Sequence, residues 1–406
     1  MNEPMWTLGI MVRLSNNKET PTAPLRLPED RFCRALCRNG EKHGFDVFVF
    51  SALHYDSNTG RLQGYRLKGN DWVYGRCPLP DVLYDRCIYR TRSERIRCLA
   101  AVADMNNRRA SIRLASALPG KLEVYRLLSQ QPFIAPYLPY SERYTGKKQL
   151  KRRLAAAAHG LFLKPDAGMQ GRGVIRLWRN PVSGSFHIQG RDRMNRPYSS
   201  TYTEAGSCLA AVDRIIAGRE YLIQPFLRLI DTQSHPFDVR VLVQKNEAGQ
   251  WAITGIAVRS GAAGSITANL HGGGGAKAAE STLNGMFGVQ KTESILTRLR
   301  VLSIRTAERL EASYGRLLEL GLDYGIEPDG SIWLLETNSK PGRSIFLLLD
   351  QREIADLTVE RPLAYARLLC SRRRLIPSPS KHRMKNNSVD AIEKSFPEEN
   401  FQEVHS

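Results

Sequence analysis

The sequence predicts a mixed α/β (α+β) protein of more than one domain, on three observations. Short apolar runs of strand length alternate with stretches of helical period from the start of the chain to about residue 370. Glycine and proline punctuate those runs, most clearly at Pro119-Gly120. A chain of 406 residues with 42% hydrophobic content is large enough for two or three domains and a sizeable core.

Taken in order, residues 1–118 read as a small α/β domain. Apolar strands at residues 8–12, 46–51 and 82–84 flank a helical stretch at 31–44. Residues 119–225 and 226–370 follow as two further units. The second of these holds one long helix, residues 293–320, with apolar residues at i, i+3 and i+4. Residues 371–406 form a basic, then charged tail. Beyond Leu375 it is Pro/Ser-rich, and its apolar residues are too sparse to offset the entropy of ordering, so disorder is expected.

The most informative segment runs from Leu322 to Gly342. Asp323 sits in a short apolar run, and a polar turn, Glu327-Pro328-Asp329-Gly330, precedes the hydrophobic strand Ile332-Trp333-Leu334-Leu335. That strand delivers Glu336 and Asn338, two residues apart and so on one face. Folded as a hairpin, the segment brings Asp323 opposite them. Three hard oxygen donors on rigid strands suit Mg²⁺ bridging nucleotide phosphates, with the substrate completing the shell. The bland alternative is a surface hairpin with solvated acids.

A second motif joins a strand ending in Lys164 to a loop containing Gly168, Gly171 and Gly173, then to the apolar run Val174-Ile175-Arg176-Leu177-Trp178. Glycines let backbone N–H groups approach phosphate oxygens, and the lysine adds a fixed charge. No Gly-Lys-Ser/Thr follows, so this is not a Walker A loop, and a glycine-rich turn is the alternative. In Glu220 to Leu227, a buried strand runs into a connector at Pro225, where the missing N–H frees the backbone to face a ligand. In Phe237 to Val243, alternation puts Asp238 and Arg240 on one face. An arginine fixed there suits phosphate; an Asp–Arg pair on a wet face is the alternative.

In this order the segments resemble the ATP-grasp superfamily, and more narrowly its YheC/YheD group, described as spore-coat-associated. The narrower likeness rests on Gly9-Ile10-Met11-Val12, Pro80-Asp81-Val82-Leu83-Tyr84-Asp85-Arg86, Lys121-Leu122-Glu123-Val124-Tyr125, Asn269-Leu270-His271-Gly272-Gly273-Gly274 and Asn338-Ser339-Lys340-Pro341-Gly342. It spans about residues 5–370. It implies a small pre-ATP-grasp domain followed by a two-subdomain ATP-grasp fold. By the resemblance, Lys121 and Lys164 contact the phosphates of ATP, and the loop at Gly168, Gly171 and Gly173 closes over them. Gln224, Pro225, Phe226 and Leu227 form the hinge that reads adenine, with Asp231 at the ribose. Gln224 stands where many ATP-grasp hinges carry glutamate. Arg240 lies on the phosphate side; Arg259 and Asn269 point toward the γ-phosphate or the acceptor; Asp323, Glu336 and Asn338 hold Mg²⁺.

The implied reaction activates a carboxylate as an acyl-phosphate, which an amine or thiol then attacks. A kinase-like use of the fold and a nucleotide-binding coat component without turnover are the alternatives. His271 lies among glycines that let the chain pass close to the phosphates, and no catalytic role is assigned to it; Cys208 and His235 are read as structural.

Composition bounds the partners. A net charge of +19 favours anionic partners, from nucleotides to acidic peptides or wall polymers, without choosing among them. No helix-turn-helix or aromatic-interleaved RNA motif is present, so no specific nucleic-acid partner is expected. No apolar run approaches the length of a membrane span, and no secretory signal is read at the start. Seven scattered cysteines without a Cys/His cluster read as reduced thiols of a cytoplasmic protein, with spore-coat proteins as candidate partners through the resemblance.

Overall fold

The computed structural model describes residues 5–14, 27–168, 171–262, 264–268, 274–349 and 351–375. The chain divides into two units, one of residues 1–115, 245–250 and 359–406, the other of residues 116–244 and 251–358.

The first unit contains a six-stranded sheet. Its strands are β1 (Trp6–Met11), β2 (Phe45–Asp56), β3 (Arg61–Lys68), β4 (Asp71–Cys77), β5 (Val82–Asp85) and β6 (Ile112–Arg113), ordered β4-β3-β2-β1-β5-β6. β1 pairs in parallel with β2 and β5, and β5 with β6; the β2-β3-β4 meander is antiparallel. Helix α1 (Asp30–Gly40) and helix α2 (Arg92–Arg108) supply the crossovers that parallel strands require. α1 is shorter than the expected 31–44, because a 3-10 turn, Glu41–His43, and Gly44 at φ 78° end it. The cysteines are all free thiols, and Cys33 and Cys37 share α1.

The second unit holds two sheets. In the first, α3 (Lys121–Ser129), β7 (Glu142–Arg143) and α4 (Lys147–Ala156) precede β8 (Leu161–Pro165), β9 (Ile175–Arg179), β10 (Phe186–Arg191) and β11 (Pro197–Tyr202). α5 (Ala205–Ile216) and β12 (Tyr221–Pro225) complete it, in the order β11-β10-β9-β8-β12-β7. Alternation sorts the strands cleanly. Leu161, Leu163, Ile175, Leu177, Ile188, Tyr221 and Ile223 pack with Cys208, Leu209, Val212 and Ile216 of α5. Phe162, Lys164, Arg176, Trp178 and Gln224 therefore occupy the opposite face.

In the other sheet, β13 (Phe237–Lys245), β14 (Trp251–Ser260) and β15 (Gly275–Ala278) lead into α6 (Ala279–Phe287) and α7 (Val289–Tyr314). β16 (Glu319–Ile326), β17 (Ile332–Asn338) and α8 (Ser344–Leu348) follow, and the sheet order is β15-β14-β13-β16-β17; α9 (Arg352–Leu375) begins in this unit, and its residues from 359 on belong to the first. Val239, Val241 and Val243 with Leu320, Leu322 and Tyr324 face a core formed with Ile295, Leu299, Leu302 and Leu310 of α7. The long helix ends at Tyr314 rather than at residue 320: Gly315, at φ 80°, stops it, and Leu317 to Leu320 turn into β16.

Candidate functional site

The candidate metal hairpin is β16–β17. Glu327 N donates to Ser331 O at 2.9 Å and Gly330 N to Glu327 O at 2.8 Å, so the Glu-Pro-Asp-Gly turn closes on itself. Gly330 sits at φ 89°, a conformation that suits glycine. The register pairs Asp323 with Glu336 and Gly321 with Asn338, with a bulge between Asp323 and Tyr324. Bulges re-aim side chains, and this one lies at the site. On the other side of β16, Arg240 of β13 pairs with Asp323. Directly opposed residues of antiparallel strands share a face, so Arg240, Asp323 and Glu336 form one row across three strands, with Asn338 beside it.

That row is tightly charged. Arg240 grips Asp323 with both ends of its fork, through Nε to Oδ1 and through Nη2 to Oδ2 at 2.9 Å. Arg259 of β14 donates to Asp238 at 2.6 and 2.7 Å and reaches Asp323 Oδ2 at 3.0 Å. Asp238, Arg240, Arg259 and Asp323 are all buried, so the wet-face alternative for the Asp-x-Arg strand is overturned. Burial pushes the Asp323 carboxyl up, but Arg240 and Arg259 outweigh it and hold the group below its ordinary value. Burial likewise opposes the Arg259 charge, and Asp238 and Asp323 hold it in place. Gly321 makes room for this: a Cβ there would lie 2.8 Å from Pro341 Cβ and 3.1 Å from Arg240 Nη1.

Two lysines converge on Glu336. Lys121 opens α3, whose first turn is tied down by Leu122 N donating to Asp166 Oδ1 at 2.7 Å. Its amine donates to Gly168 O at 2.7 Å and lies 3.5 Å from Glu336 Oε1. Lys164 Nζ donates to Leu335 O at 3.0 Å. Burial pushes the Lys164 amine down to about 8, against the attraction of Glu336 and with the help of Lys121. The glycine loop anchors nearby: Gly171 and Gly173 have φ of 70° and 75°, and Tyr221 OH donates to Gly173 O at 2.8 Å.

At the hinge, Gln224 Nε2 donates to Ser141 Oγ at 2.6 Å, and Ser141 Oγ donates to Pro139 O at 2.8 Å. This chain of donors orients the amide and leaves Gln224 Oε1 as an acceptor. Phe226 N is spent on Gly160 O at 3.0 Å. Over the Phe226 ring lies the Arg176 guanidinium, 3.7 Å from its centroid and 4.4 Å from that of Trp178. Arg176 Nε is buried without a hydrogen-bond partner. An orphaned donor on the Lys164 face is what a missing ligand would leave.

Asp231 closes its own turn. Its Oδ1 accepts from Gln233 N at 3.0 Å and His235 N at 2.9 Å, while Lys277 Nζ stands 3.7 Å from Oδ2. Pro225 ends β12 opposite Leu161, and Leu227 O accepts from Leu229 N at 3.1 Å. Asn269, together with His271, lies outside the described residues. Sequence reading missed Arg176 and Ser141. Arg176 could have been found, since it lies two residues after Val174 in a run leaving the glycine loop. Ser141 acts on Gln224 from 83 positions away with no local signal.

The donor set fits Mg²⁺: two carboxylates and an amide, all hard oxygens. Among the described residues no group of three His, Cys, Asp or Glu side chains is placed to hold a metal ion. Among the described residues, too, no helix is long and apolar enough to cross a membrane.

Comparison with known proteins shows the family of the chain. Residues 114–369 match the family described as YheC/D like ATP-grasp. The chain is 30% identical over 328 residues to the endospore coat-associated protein YheC of Bacillus subtilis (strain 168), covering 79% of this chain and 88% of the relative. Against the endospore coat-associated protein YheD of the same strain the identity is 31% over 336 residues, covering 81% and 72%. Among solved structures, that of the D-cycloserine synthetase DcsG superposes with a TM-score of 0.52 at 13% identity, covering 90% of this chain and 99% of that one, a likeness of fold. A protein with this hairpin, these paired lysines and these relatives belongs to the YheC/D-like ATP-grasp family.

Proposed function

We propose that the chain is an ATP- and Mg²⁺-dependent ligase that joins a carboxylate to an amine through an acyl-phosphate. The observation that carries this is the convergence of Lys121 and Lys164 on Glu336, in line with Asp323 and Arg240. Asp323, Glu336 and Asn338 would hold Mg²⁺, which would supply neutralisation of the phosphate charge. Lys121 and Lys164 bind the phosphates, and the loop at Gly168, Gly171 and Gly173 covers them. Arg240 and Arg259 exchange part of their grip on the carboxylates for phosphate oxygens. Gln224 Oε1 accepts from the adenine amine, Pro225 and Leu227 offer backbone groups, Phe226 and Arg176 wall the base, and Asp231 Oδ2, which lies 3.7 Å from Lys277 Nζ, meets the ribose.

In the first step a substrate carboxylate oxygen bonds to the γ-phosphorus and ADP leaves. In the second, the amine attacks the acyl carbon, loses a proton, and phosphate departs. The protein contributes position and charge, as in other phosphoryl transfers. Following the names of its relatives, we infer a cytoplasmic protein associated with the spore coat.

A screen of acids and amines for ADP release tests the reading. ADP formed only when acid and amine are both present supports the ligase. A stable phosphorylated product identifies a phosphotransferase, and nucleotide binding without ADP formation identifies a non-catalytic coat component. No magnesium-dependent binding of a non-hydrolysable ATP analogue by calorimetry would sink all three.

A further inference from the structure

The first unit carries a basic cleft that the ligase reading does not use. It has a volume of about 520 Å³ and lies where the β3–β4 ribbon meets the segment after α2. Arg61, Arg76 and Arg109 line it together with Leu62, Cys77, Pro78 and Leu79, and no acidic side chain contributes to the lining. Strand alternation explains the chemistry: Leu62 and Cys77 pair across β3 and β4 and are buried, so their neighbours Arg61 and Arg76 are turned out.

The arginines here differ from others of the same unit. Arg66 is paired with Asp46, Arg86 with Glu29 and Arg108 with Asp104. Arg61 and Arg76 donate no side-chain hydrogen bond and form no ion pair among the described residues. Arg61 interacts electrostatically with Asp56, whose oxygens already accept from Asn58 N at 3.0 Å and Thr59 Oγ1 at 2.6 Å. Arg109 is anchored from behind: Asp81 accepts from it at 2.5 Å and is itself held by Thr7 N at 2.9 Å and Thr7 Oγ1 at 2.8 Å. One guanidinium is therefore preorganised, and two are held by no side-chain hydrogen bond among the described residues.

We propose that this cleft binds a small organic oxyanion carrying at least two negative groups, carboxylate or phosphate. Guanidinium forks match such groups in bidentate fashion, and separate forks select for separate charges on one molecule. Pro78 and Leu79 of the lining offer apolar surface to the carbon frame, and the volume is that of a small-molecule site rather than a polymer track. The site lies wholly in the first unit and stands or falls independently of the nucleotide site.

The test is residue-resolved protection of the full chain from phenylglyoxal, read by peptide mass mapping at fixed ionic strength. Citrate and pyrophosphate are the probes, and Arg97, an exposed arginine of α2, is the internal control. Saturable protection of Arg61 and Arg76, at least tenfold over Arg97, is expected with one or both. Stronger protection by citrate assigns a carboxylate, by pyrophosphate a phosphate. The double variant Arg61→Ala/Arg76→Ala should lose calorimetric citrate binding at least tenfold while its melting temperature stays put, since both side chains are exposed. Equal modification with and without either probe overturns the proposal. So does citrate binding by the double variant at wild-type strength, or protection by heparin alone, which would indicate a general basic surface.

Discussion

Lys164 and Arg240 face the same site from two different sheets of one unit, and their charges are secured in opposite ways. Arg240 lies in a buried network of two carboxylates and two arginines: Asp323 with Arg240 and Arg259, Asp238 with Arg259. Lys164 has a backbone carbonyl, Leu335 O, and the longer-range pull of Glu336 and, more weakly, of Asp166 and Asp323. The first arrangement stores charge permanently in the fold. The second leaves a cation whose protonation depends on what binds. A site that grips polyphosphate gains from both: a rigid frame for the metal side, and an adjustable charge on the loop side.

The largest effect should come from breaking the rigid half. Asp238→Ala leaves Arg259 buried with only Asp323, which already serves Arg240. Removing one partner of a buried pair costs about 3–5 kcal/mol. Urea denaturation should show a loss of that order, and a loss under about 1 kcal/mol would mean that the network relaxes to water.

Next in size is Glu336→Gln. This side chain is the meeting point of Lys121 and Lys164 and retains 29% exposure, so the fold should tolerate the change. Loss of one ligand carboxylate from a site of developing charge is worth roughly 3 kcal/mol, on the order of a hundredfold in turnover. ADP release should fall by that factor at unchanged melting temperature. Turnover like wild type would remove Glu336 from the metal set.

How much of this was legible in the sequence follows the same division. The hairpin was readable because its signals are local: a Glu-Pro-Asp-Gly turn, a strand of period two, and acids two residues apart. Asp323, Glu336 and Asn338 fell where that pattern put them. Asp238 and Arg240 were seen to share a face, yet their burial was not. A strand with both faces covered looks the same as a half-wet one when its polar residues satisfy one another. The overrun of the long helix to residue 320 has a similar cause, since Leu317, Leu318 and Leu320 suit a helix and a buried strand alike. Arg176 over Phe226 and Ser141 under Gln224 depend on partners 50 and 83 positions apart, which periodicity cannot show.

The adjustable half predicts a pH effect. With its amine at about 8 in the folded chain, against an ordinary 10.5, Lys164 opposes folding when charged. That penalty is complete below about pH 8 and fades as pH rises toward the unfolded value. Binding runs the other way: phosphate favours the charged lysine, so affinity is full below about pH 8 and falls above it. At about pH 9, binding should take up a fraction of a proton, seen as a calorimetric enthalpy that changes with buffer ionisation heat. Lys164→Met should abolish the buffer dependence. Uptake that persists in the variant would assign the proton to another group.

The smallest effect concerns Gln224, a neutral group between the two charged regimes. Ser141 Oγ is committed as a donor to Pro139 O, so it must accept from Gln224 Nε2. The amide cannot flip without placing two acceptors together, and its Oε1 therefore serves as a fixed acceptor. A glutamate there would offer the same acceptor with a charge; glutamine offers it without the cost of burying one. Gln224→Met keeps the bulk and removes both functions. One neutral hydrogen bond is worth about 1 kcal/mol, so ATP affinity should fall roughly fivefold to tenfold. ITP carries a carbonyl where ATP carries the amine, and so gains nothing from Oε1; its affinity should hold. Competition calorimetry of the two nucleotides measures the ratio. An ATP-to-ITP ratio unchanged by the substitution would confine Gln224 to tying β12 to Ser141, and would leave base recognition to the backbone at Pro225 and Leu227.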